Sequence, residues 1–302
     1  MAHDYKALCA FAQTLGCEAA AGVPFAEFTT FRTGGPCGAL ITAPGPDALK
    51  ALLAALKERA IPFLFLGNGS NVLAPDEGLD CAVLRLGDDE PRLADDGKVF
   101  CGAGTKLITL CRFALEHGLS GMEFAYGIPG SVGGAAFMNG GAYGGEMKDV
   151  VTRVFHLTPD GEEGSLTNEE AKFNYRDSAY RTNGCIITGV EFQLTPADPA
   201  DIKAKMDDLL GRRKAKQPLE YPSAGSTFKR PDATHFAGAL IEQCGLKGFS
   251  VGGAEVSEKH AGFIINKQGA TSADVTALIR EVQRRVKEQT GFELATEVIL
   301  LR

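Results

Sequence analysis

Two glycine-rich segments contain residue types that could bind a phosphate-containing ligand. The shorter is Gly67-Asn68-Gly69-Ser70-Asn71, directly after an apolar segment at 62–66. Consecutive main-chain N–H groups in such a turn can form an anion-binding nest. An ordinary β-turn uses the same residues, so this segment alone leaves both interpretations open.

The longer segment, residues 127–145, is apolar as well as rich in glycine, which argues against a flexible linker. Small residues here would let the main chain pack against a flat ring and a pyrophosphate together. A tight structural loop is the alternative. The candidate ligand-binding residues are Gly127, Ile128, Pro129, Ser131, Gly133, Gly134, Asn139, Gly140 and Ala142.

Neither segment has the GxGxxG spacing of a Rossmann dinucleotide site. Gly127, Gly130 and Gly133 recur every third residue, and Gly102-Ala103-Gly104 has no third glycine at the required distance. A dinucleotide would therefore need a different architecture.

Three other residues could take part in catalysis, although each could also be a structural or surface residue. Arg176 could hold a carboxylate in a bidentate fork, or it could be a structural or surface arginine. Ser226 is a poor acid unless it is positioned, and beside Gly225 it could be a turn residue. Glu297 lies in the apolar segment 294–301, where alternation with Ala295 and Ile299 favours an inward-facing side chain over a solvated one.

A basic cluster at 212–216 stands out in a chain of net charge -7. It could lie in solvent at the C-terminal end of a helix, where the helix dipole stabilises positive charge, or it could bind a diphosphate. Arg212 and Lys216 are the candidate diphosphate contacts, and Lys216 is the preferred one. Arg32, near the start of the chain, is a weaker candidate for a cofactor contact.

Composition excludes several classes of protein. The chain has 302 residues, 44% of them hydrophobic, which suits about two globular domains. The pI near 5.4 argues against a nucleic-acid partner. No apolar stretch reaches the ~20 residues of a membrane span, and no signal peptide is evident, so we predict a cytoplasmic protein with no membrane partner. The eight cysteines lack CxxC or zinc-ligand spacing, so we expect free thiols and no metal.

Hydrophobic periodicity and turn residues predict the elements. We predict helices at 4–20, 46–60, 105–117, 199–216, 235–245 and 272–289, the last with a capping box at Thr271 and Asp274. We predict strands at 25–33, 39–43, 62–66, 81–86, 99–103, 150–157, 185–194, 261–266 and 294–301. The predicted domains are an N-terminal helical segment over 1–24, a first domain over 25–195 with subdomains 25–72 and 73–195, and a second domain over 196–302.

Six short motifs together carry a family resemblance. They are residues 68–71 (NGSN), 127–134 (GIPGSVGG), 139–144 (NGGAYG), 175–178 (YRDS), 224–229 (AGSTFK) and 260–266 (HAGFIIN). These motifs resemble those of the UDP-N-acetylenolpyruvoylglucosamine reductase family, also called UDP-N-acetylmuramate dehydrogenases, and occur in family order across about residues 25–301.

This resemblance implies an α+β fold: an FAD-binding domain of the vanillyl-alcohol-oxidase type, followed by a smaller α+β substrate-binding domain. It implies NADPH-dependent reduction of a small molecule, the enolpyruvyl ether of UDP-N-acetylglucosamine, to UDP-N-acetylmuramate for peptidoglycan. FAD would be bound non-covalently, NADPH would be a co-substrate, and we expect a monomer.

The resemblance also implies roles for residues. Arg176 would stabilise the substrate carboxylate, and Ser226 would donate the proton. If Glu297 faces inward, it would hydrogen-bond the substrate carboxylate or act as an acid. The glycine segments, with Arg32, would bind FAD, and Lys229 would join Lys216 and Arg212 at the substrate.

The chain departs from part of the family at two places. It resembles the shorter type, which lacks a loop carrying a substrate-covering tyrosine, because only about fifty residues separate Arg176 from Ser226. Some members have asparagine before Pro231, where this chain has Arg230, which could contact a phosphate or carboxylate.

Two other functions remain open from the sequence. One is a related flavin oxidase acting on an alcohol or sugar, although no histidine lies in the glycine segments to attach flavin covalently. The other is a non-catalytic protein that binds nucleotide sugars.

Overall fold

The structure is a computed structural model that describes residues 3–302. In these residues the α-helices are α1 (Tyr5–Thr14), α2 (Phe25–Phe28), α3 (Pro46–Glu58), α4 (Leu107–Glu116), α5 (Val132–Phe137), α6 (Pro199–Lys216), α7 (Ala237–Gln243) and α8 (Ser272–Thr290). The strands are β1 (Glu18–Ala21), β2 (Cys37–Ala43), β3 (Phe63–Phe65), β4 (Val72–Leu73), β5 (Leu79–Leu86), β6 (Arg92–Leu93), β7 (Val99–Gly102), β8 (Leu119–Ser120), β9 (Gly141–Ala142), β10 (Gly145–Glu146), β11 (Val151–Leu157), β12 (Glu163–Thr167), β13 (Ile186–Phe192), β14 (Thr195–Pro196), β15 (Ser223–Ser226), β16 (Ser250–Val251), β17 (Ala254–Val256), β18 (Phe263–Asn266) and β19 (Ile299–Leu300). None of the helices between residues 3 and 302 has the length and apolar character needed to cross a membrane.

The chain divides into two compact units, each made of three segments. Unit 1 contains residues up to Gly22, 38–68 and 80–212, and unit 2 contains 23–37, 69–79 and 213–302. The domain boundaries predicted from sequence, after residues 24, 72 and 195, stay a prediction. The first two residues of the predicted segment 1–24 lie outside the described part of the chain.

Unit 1 contains a four-stranded sheet in the order β1-β2-β5-β3. Every second residue of β2 is buried, as expected for a strand that turns one face to a core. Helix α3 buries a leucine-rich face in the same core as part of α1. The predicted helix at 46–60 and strand at 39–43 are therefore confirmed.

The second sheet of unit 1 is antiparallel, in the order β12-β11-β13-β7-β6. Its core includes residues of α4 and α5. Helix α5 carries the centre of the long glycine-rich segment, so residues of this segment lie within the packed core of unit 1.

Unit 2 is built on the antiparallel sheet β15-β18-β17-β16, whose core it shares with α7 and α8. The predicted capping box of α8 is confirmed: the Thr271 hydroxyl accepts from the Asp274 N–H, and the Asp274 carboxylate accepts from the Thr271 N–H. Gly291 ends the helix with a left-handed φ of 78°. Helix α8 is thus capped at both ends and packs against the sheet through their shared core.

The predicted strand at 25–33 is wrong. Phe25–Phe28 forms one helical turn instead, and no strand follows before Cys37. Phe25 and Phe28 are three residues apart, so a helical turn brings their rings to 4.9 Å between centroids, whereas a strand would point them to opposite faces.

Two other predicted elements are shorter than expected. Helix α1 ends at Thr14 rather than near residue 20, because Gly16 takes a left-handed φ of 78° and β1 follows. Of the predicted strand 294–301 only Ile299–Leu300 forms, in parallel with β4. Glu297 therefore lies outside the strand, so alternation cannot decide which way its side chain faces.

A buried histidine links strand β11 to the 3-10 turn that follows residue 178. His156 is 8% exposed, and its Nδ1 lies 2.9 Å from the Tyr180 hydroxyl, which donates to the Val154 carbonyl oxygen at 3.2 Å. Burial lowers the pKa of His156 below its ordinary 6.5, because the interior disfavours the charged imidazole.

This shift predicts a pH dependence of unfolding. Between the lowered pKa and 6.5 the unfolded chain binds more protons than the folded chain, so stability rises with pH and is lost as pH falls below 6.5. His156→Gln should reduce this loss, measured as the difference in unfolding free energy between about pH 7 and pH 5. Some dependence of the same sign should remain, because burial also lowers the pKa of His260. An unchanged pH dependence in the variant would contradict this role of His156.

Candidate functional site

The start of the short glycine segment lies against the long one within unit 1. The Asn68 side-chain amide donates to the Pro129 carbonyl oxygen at 2.6 Å. Arg85 fixes the same loop from strand β5, donating through Nε and Nη2 to the Gly67 carbonyl oxygen at 2.9 and 2.7 Å. Two segments about sixty residues apart in the chain thus form one main-chain surface.

Neighbouring protein atoms crowd two of these glycines. A Cβ at Gly67 would lie 2.3 Å from the Ser131 Oγ, which already accepts from the Gly134 N–H. A Cβ at Gly133 would lie 2.7 Å from the Ala103 Cβ and 3.1 Å from the Ala103 carbonyl oxygen. These two glycines therefore allow close packing within the protein, as in the tight structural loop that the sequence left open as the alternative for the longer segment.

The remaining loop residues, Gly69 to Asn71, belong to unit 2. Gly69 has a left-handed φ of 61°, and its carbonyl oxygen accepts from the Thr30 N–H. The Asn71 side-chain amide donates to the Glu297 carbonyl oxygen at 3.1 Å, and the Ile299 N–H donates to the Asn71 carbonyl oxygen at 3.0 Å. Asn71 therefore holds the C-terminal segment of the same unit.

Asn139 joins two tight turns of unit 1. It is fully buried, its amide donates to the Asn174 carbonyl oxygen and to Glu146, and its Oδ1 accepts from the Lys148 N–H. Gly140 and Ala142 lie next to it, Ala142 in the β9–β10 hairpin. This hairpin turns at Tyr143 and Gly144, both with positive φ.

Arg176 lies in the second tight turn, between Asn174 and Asp177, which pair across it. Its φ of 52° is unusual for a residue with a side chain. The half-buried guanidinium donates from Nη2 to the Gly141 carbonyl oxygen at 3.0 Å. Such strain persists only where surrounding contacts fix it and is common at functional sites, so the structure holds Arg176 in a defined position.

The segments that carry Ser226 and Glu297 are hydrogen-bonded to each other in unit 2. Half-buried Ser226 ends β15 opposite Phe263 of β18. The next residue, Thr227, accepts through its carbonyl oxygen from the Glu297 N–H at 2.8 Å, and Lys229 N–H donates to the Ala295 carbonyl oxygen at 2.9 Å. Hydrogen bonds thus hold the segments 224–229, 260–266 and 294–301 side by side.

The basic residues differ in their surroundings. Lys216, the last residue of α6, is exposed, and exposed Arg212 is paired with Asp208 at 2.8 Å. Exposed Arg230 lies over the Phe236 ring at 4.8 Å. Arg213 is only 9% exposed, and the sequence analysis did not select it. On a helical wheel of α6, Arg213 falls on the same face as Ile202 and Met206, which are buried. This pattern could have identified Arg213 as an inward-facing residue.

Arg32 is exposed and has a left-handed φ of 55°. The Asn266 side-chain amide donates to the carbonyl oxygens of Phe31 and Arg32 at 3.2 and 3.5 Å. Within unit 2 the main chain at Arg32 is therefore fixed by the strand that carries the last motif.

Comparison with known proteins assigns the class of protein. The family described as "FAD binding domain" matches residues 38–166, which include Gly67, Asn68 and the segment 127–145. Hydrogen bonds from Asn68 and Arg85 fix main-chain groups of both glycine segments, and such preorganisation suits a bound dinucleotide. The chain is an FAD-binding oxidoreductase with an α+β fold, as predicted.

The particular family follows from the second match and from the relatives. The family described as "UDP-N-acetylenolpyruvoylglucosamine reductase, C-terminal domain" matches residues 217–301. The chain belongs to the UDP-N-acetylenolpyruvoylglucosamine reductase family, which confirms the predicted resemblance.

Relatives and a solved structure support this membership over nearly the whole chain. Reductases of this name from Geobacillus thermodenitrificans and Syntrophomonas wolfei are 48% and 45% identical to it, over 92% and 91% of this chain and 91% and 92% of theirs. The crystal structure of the reductase from Thermus caldophilus is similar with a TM-score of 0.79 and 36% identity, over 95% of this chain and 99% of that one.

Gly133→Ala should destabilise the protein by about 1–3 kcal/mol, because the new methyl group overpacks against Ala103. Alanine has a higher helix propensity than glycine, which alone would stabilise the variant by up to ~1 kcal/mol. A net loss of stability would therefore be caused by the overpacking. Thermal and denaturant unfolding measure the change.

Gly87→Ala is the matched control in unit 1. Its Cβ would meet nothing closer than 3.6 Å, so stability should change by no more than about 0.5 kcal/mol. Equal stability of the two variants would contradict the close-approach argument.

Proposed function

We propose that this chain reduces the enolpyruvyl ether of UDP-N-acetylglucosamine to UDP-N-acetylmuramate, for peptidoglycan synthesis. The observation that carries the proposal is the 48% identity to a reductase of this family over 92% of the chain. NADPH is the reductant, and bound FAD supplies hydride transfer from NADPH to the substrate. FAD is held non-covalently.

We assign cofactor binding to the main chain of both glycine segments. The hydrogen bond from Asn68 to Pro129 and the contact of Gly67 with Ser131 support this assignment, since they fix neighbouring main-chain groups before a ligand binds. Gly127, Ile128, Gly133 and Gly134 provide small or apolar surface, and Gly140, Ala142, Gly69, Ser70 and Arg32 are further proposed contacts.

Arg176 is proposed to hold the substrate carboxylate. Hydride addition to the terminal carbon of the enolpyruvyl group pushes negative charge into that carboxylate. A planar guanidinium stabilises this charge through two parallel hydrogen bonds. The bond from Arg176 to the Gly141 carbonyl oxygen orients it without neutralising its charge.

Ser226 is proposed to donate the proton to the adjacent carbon. A serine hydroxyl is a weak acid, so it must be positioned and helped by neighbouring charge. Glu297 is fastened to Thr227, the residue after Ser226, which supports a role for its carboxylate at the same reaction step. Lys229, three residues from Ser226, provides positive charge on the same segment.

We propose that Lys216 is the main contact of the UDP diphosphate, because it is exposed at the end of α6. Arg230 is the second candidate. Arg212 is the weakest, because the ion pair with Asp208 already uses its guanidinium. The substrate is thus a small anionic nucleotide sugar, and we propose a monomeric enzyme in the cytoplasm.

Ser226→Ala tests the proton-donor assignment. Reduction of the flavin by NADPH should persist, while reoxidation by the substrate should slow by roughly 10²- to 10⁴-fold, the usual contribution of a positioned acid. Anaerobic stopped-flow absorbance separates the two half-reactions.

The matched control is Ser223→Ala, which removes a hydroxyl from the other end of the same strand. It should keep both half-reactions within about twofold of the unmodified protein. A Ser226→Ala enzyme that retains turnover within about twofold would show that Ser226 is not the proton donor.

A further inference from the structure

Asn71 belongs to a motif read from the sequence as part of a cofactor loop, yet its observed hydrogen bonds go to the C-terminal segment of unit 2. The side-chain amide donates to the Glu297 carbonyl oxygen at 3.1 Å. Its own carbonyl oxygen accepts from the Ile299 N–H at 3.0 Å. Asn71 therefore contacts the main chain on both sides of residue 298.

Glu297 is also fixed from the opposite side. Its N–H donates to the Thr227 carbonyl oxygen at 2.8 Å. Thr227 is 2% exposed, its N–H donates to the Gly262 carbonyl oxygen at 2.8 Å, and its hydroxyl accepts from the Ile264 N–H at 3.1 Å. Thr227 is thus bonded to residues 262 and 264, beside the sheet, as well as to Glu297.

The segment around Glu297 has little regular secondary structure, so tertiary contacts hold it in place. Only Ile299–Leu300 forms a strand, and Phe228 makes an isolated bridge with Thr296. The carbonyl group of Glu297 precedes the strand and is bonded by the Asn71 side chain. Removing that amide removes one hydrogen bond from the Glu297 carbonyl oxygen, whereas the N–H stays bonded to Thr227.

We propose that Asn71 is a positioning residue that sets the orientation of the Glu297 carboxylate by bonding the main-chain carbonyl group of that residue. This inference rests on the proposed function, in which Glu297 assists proton donation by Ser226. Asn71 would then act on the substrate-dependent half of the reaction rather than on the reduction of FAD by NADPH.

The test uses Asn71→Leu, which keeps a similar volume and removes the amide. In the FAD-loaded enzyme, reoxidation by the substrate should slow by roughly 10- to 100-fold, as misplacement of a reacting group by about an ångström can do. Flavin reduction by NADPH should stay within about twofold. Hydrogen exchange should accelerate in the peptide spanning residues 295–299, which gives a readout independent of turnover.

Gln283 provides a matched control. Its side-chain amide donates to the Leu294 carbonyl oxygen at 2.8 Å, a bond of the same kind three residues before Glu297. Gln283→Met should accelerate exchange near Leu294 and leave reoxidation within about twofold. Equal slowing by both variants would mean that general loosening of the segment matters, which would overturn the proposal.

A double-mutant cycle with Glu297→Gln decides whether Asn71 acts through the carboxylate. If it does, adding Asn71→Leu to Glu297→Gln should slow reoxidation by no more than about twofold further. Multiplicative effects, or equal slowing of both half-reactions with loss of FAD, would overturn the proposal in favour of direct cofactor binding.

Failure of the proposed function has a different signature, because the enolpyruvyl ether would then not reoxidise the flavin of the unmodified enzyme. If the unmodified enzyme is reoxidised and Glu297→Gln reoxidises at the same rate, Asn71 has no catalytic carboxylate to position. That result overturns the present proposal and leaves the proposed function standing.

Discussion

The hydrogen bond from the Glu297 N–H to the Thr227 carbonyl oxygen holds together the candidate chemistry of unit 2. The C-terminal segment forms a strand only at Ile299–Leu300, so tertiary bonds must order the residues before it. Thr227 is tied to Gly262 and Ile264 of the neighbouring segment. Two motifs, residues 224–229 and 260–266, therefore share one hydrogen-bonded framework with the C-terminal segment.

Unit 1 depends on a different constraint, the close packing of its glycine-rich segments. Gly133 lies against Ala103, and Gly67 lies against the Ser131 hydroxyl, so a Cβ on either glycine would force a neighbour to shift. An arginine fork on the Gly67 carbonyl oxygen and an asparagine amide on the Pro129 carbonyl oxygen fix the same region. Preorganised main-chain groups bind a cofactor without a further cost of ordering them.

Local signals made much of this structure predictable. The face of α8 and its capping box follow from residues three and four apart, and strand β2 follows from strict alternation. A tight packed loop at Gly133 was one of the two interpretations of the apolar, glycine-rich segment 127–145, whereas the contact of Gly67 with Ser131 was not foreseen. Family motifs identified Arg176 and Ser226, whose residue types alone left ordinary explanations open.

Tertiary contacts account for what the sequence could not predict. Glu297 was expected in a strand, but Thr227 and Asn71 bond its main chain before the strand begins. Phe25 and Phe28 are apolar enough for a strand, yet their rings pack together in a helical turn. The bonds of Asn71 to the C-terminal segment depend on residues more than two hundred positions away, a separation that no local pattern can report.

Anaerobic titration of the purified protein tests the central claim most directly. NADPH should bleach the visible absorbance of the bound flavin, and a stoichiometric amount of UDP-N-acetylglucosamine enolpyruvate should restore it without oxygen, with UDP-N-acetylmuramate as product. A flavin that NADPH reduces but that only oxygen reoxidises, with no product from the enolpyruvyl ether, would contradict the account.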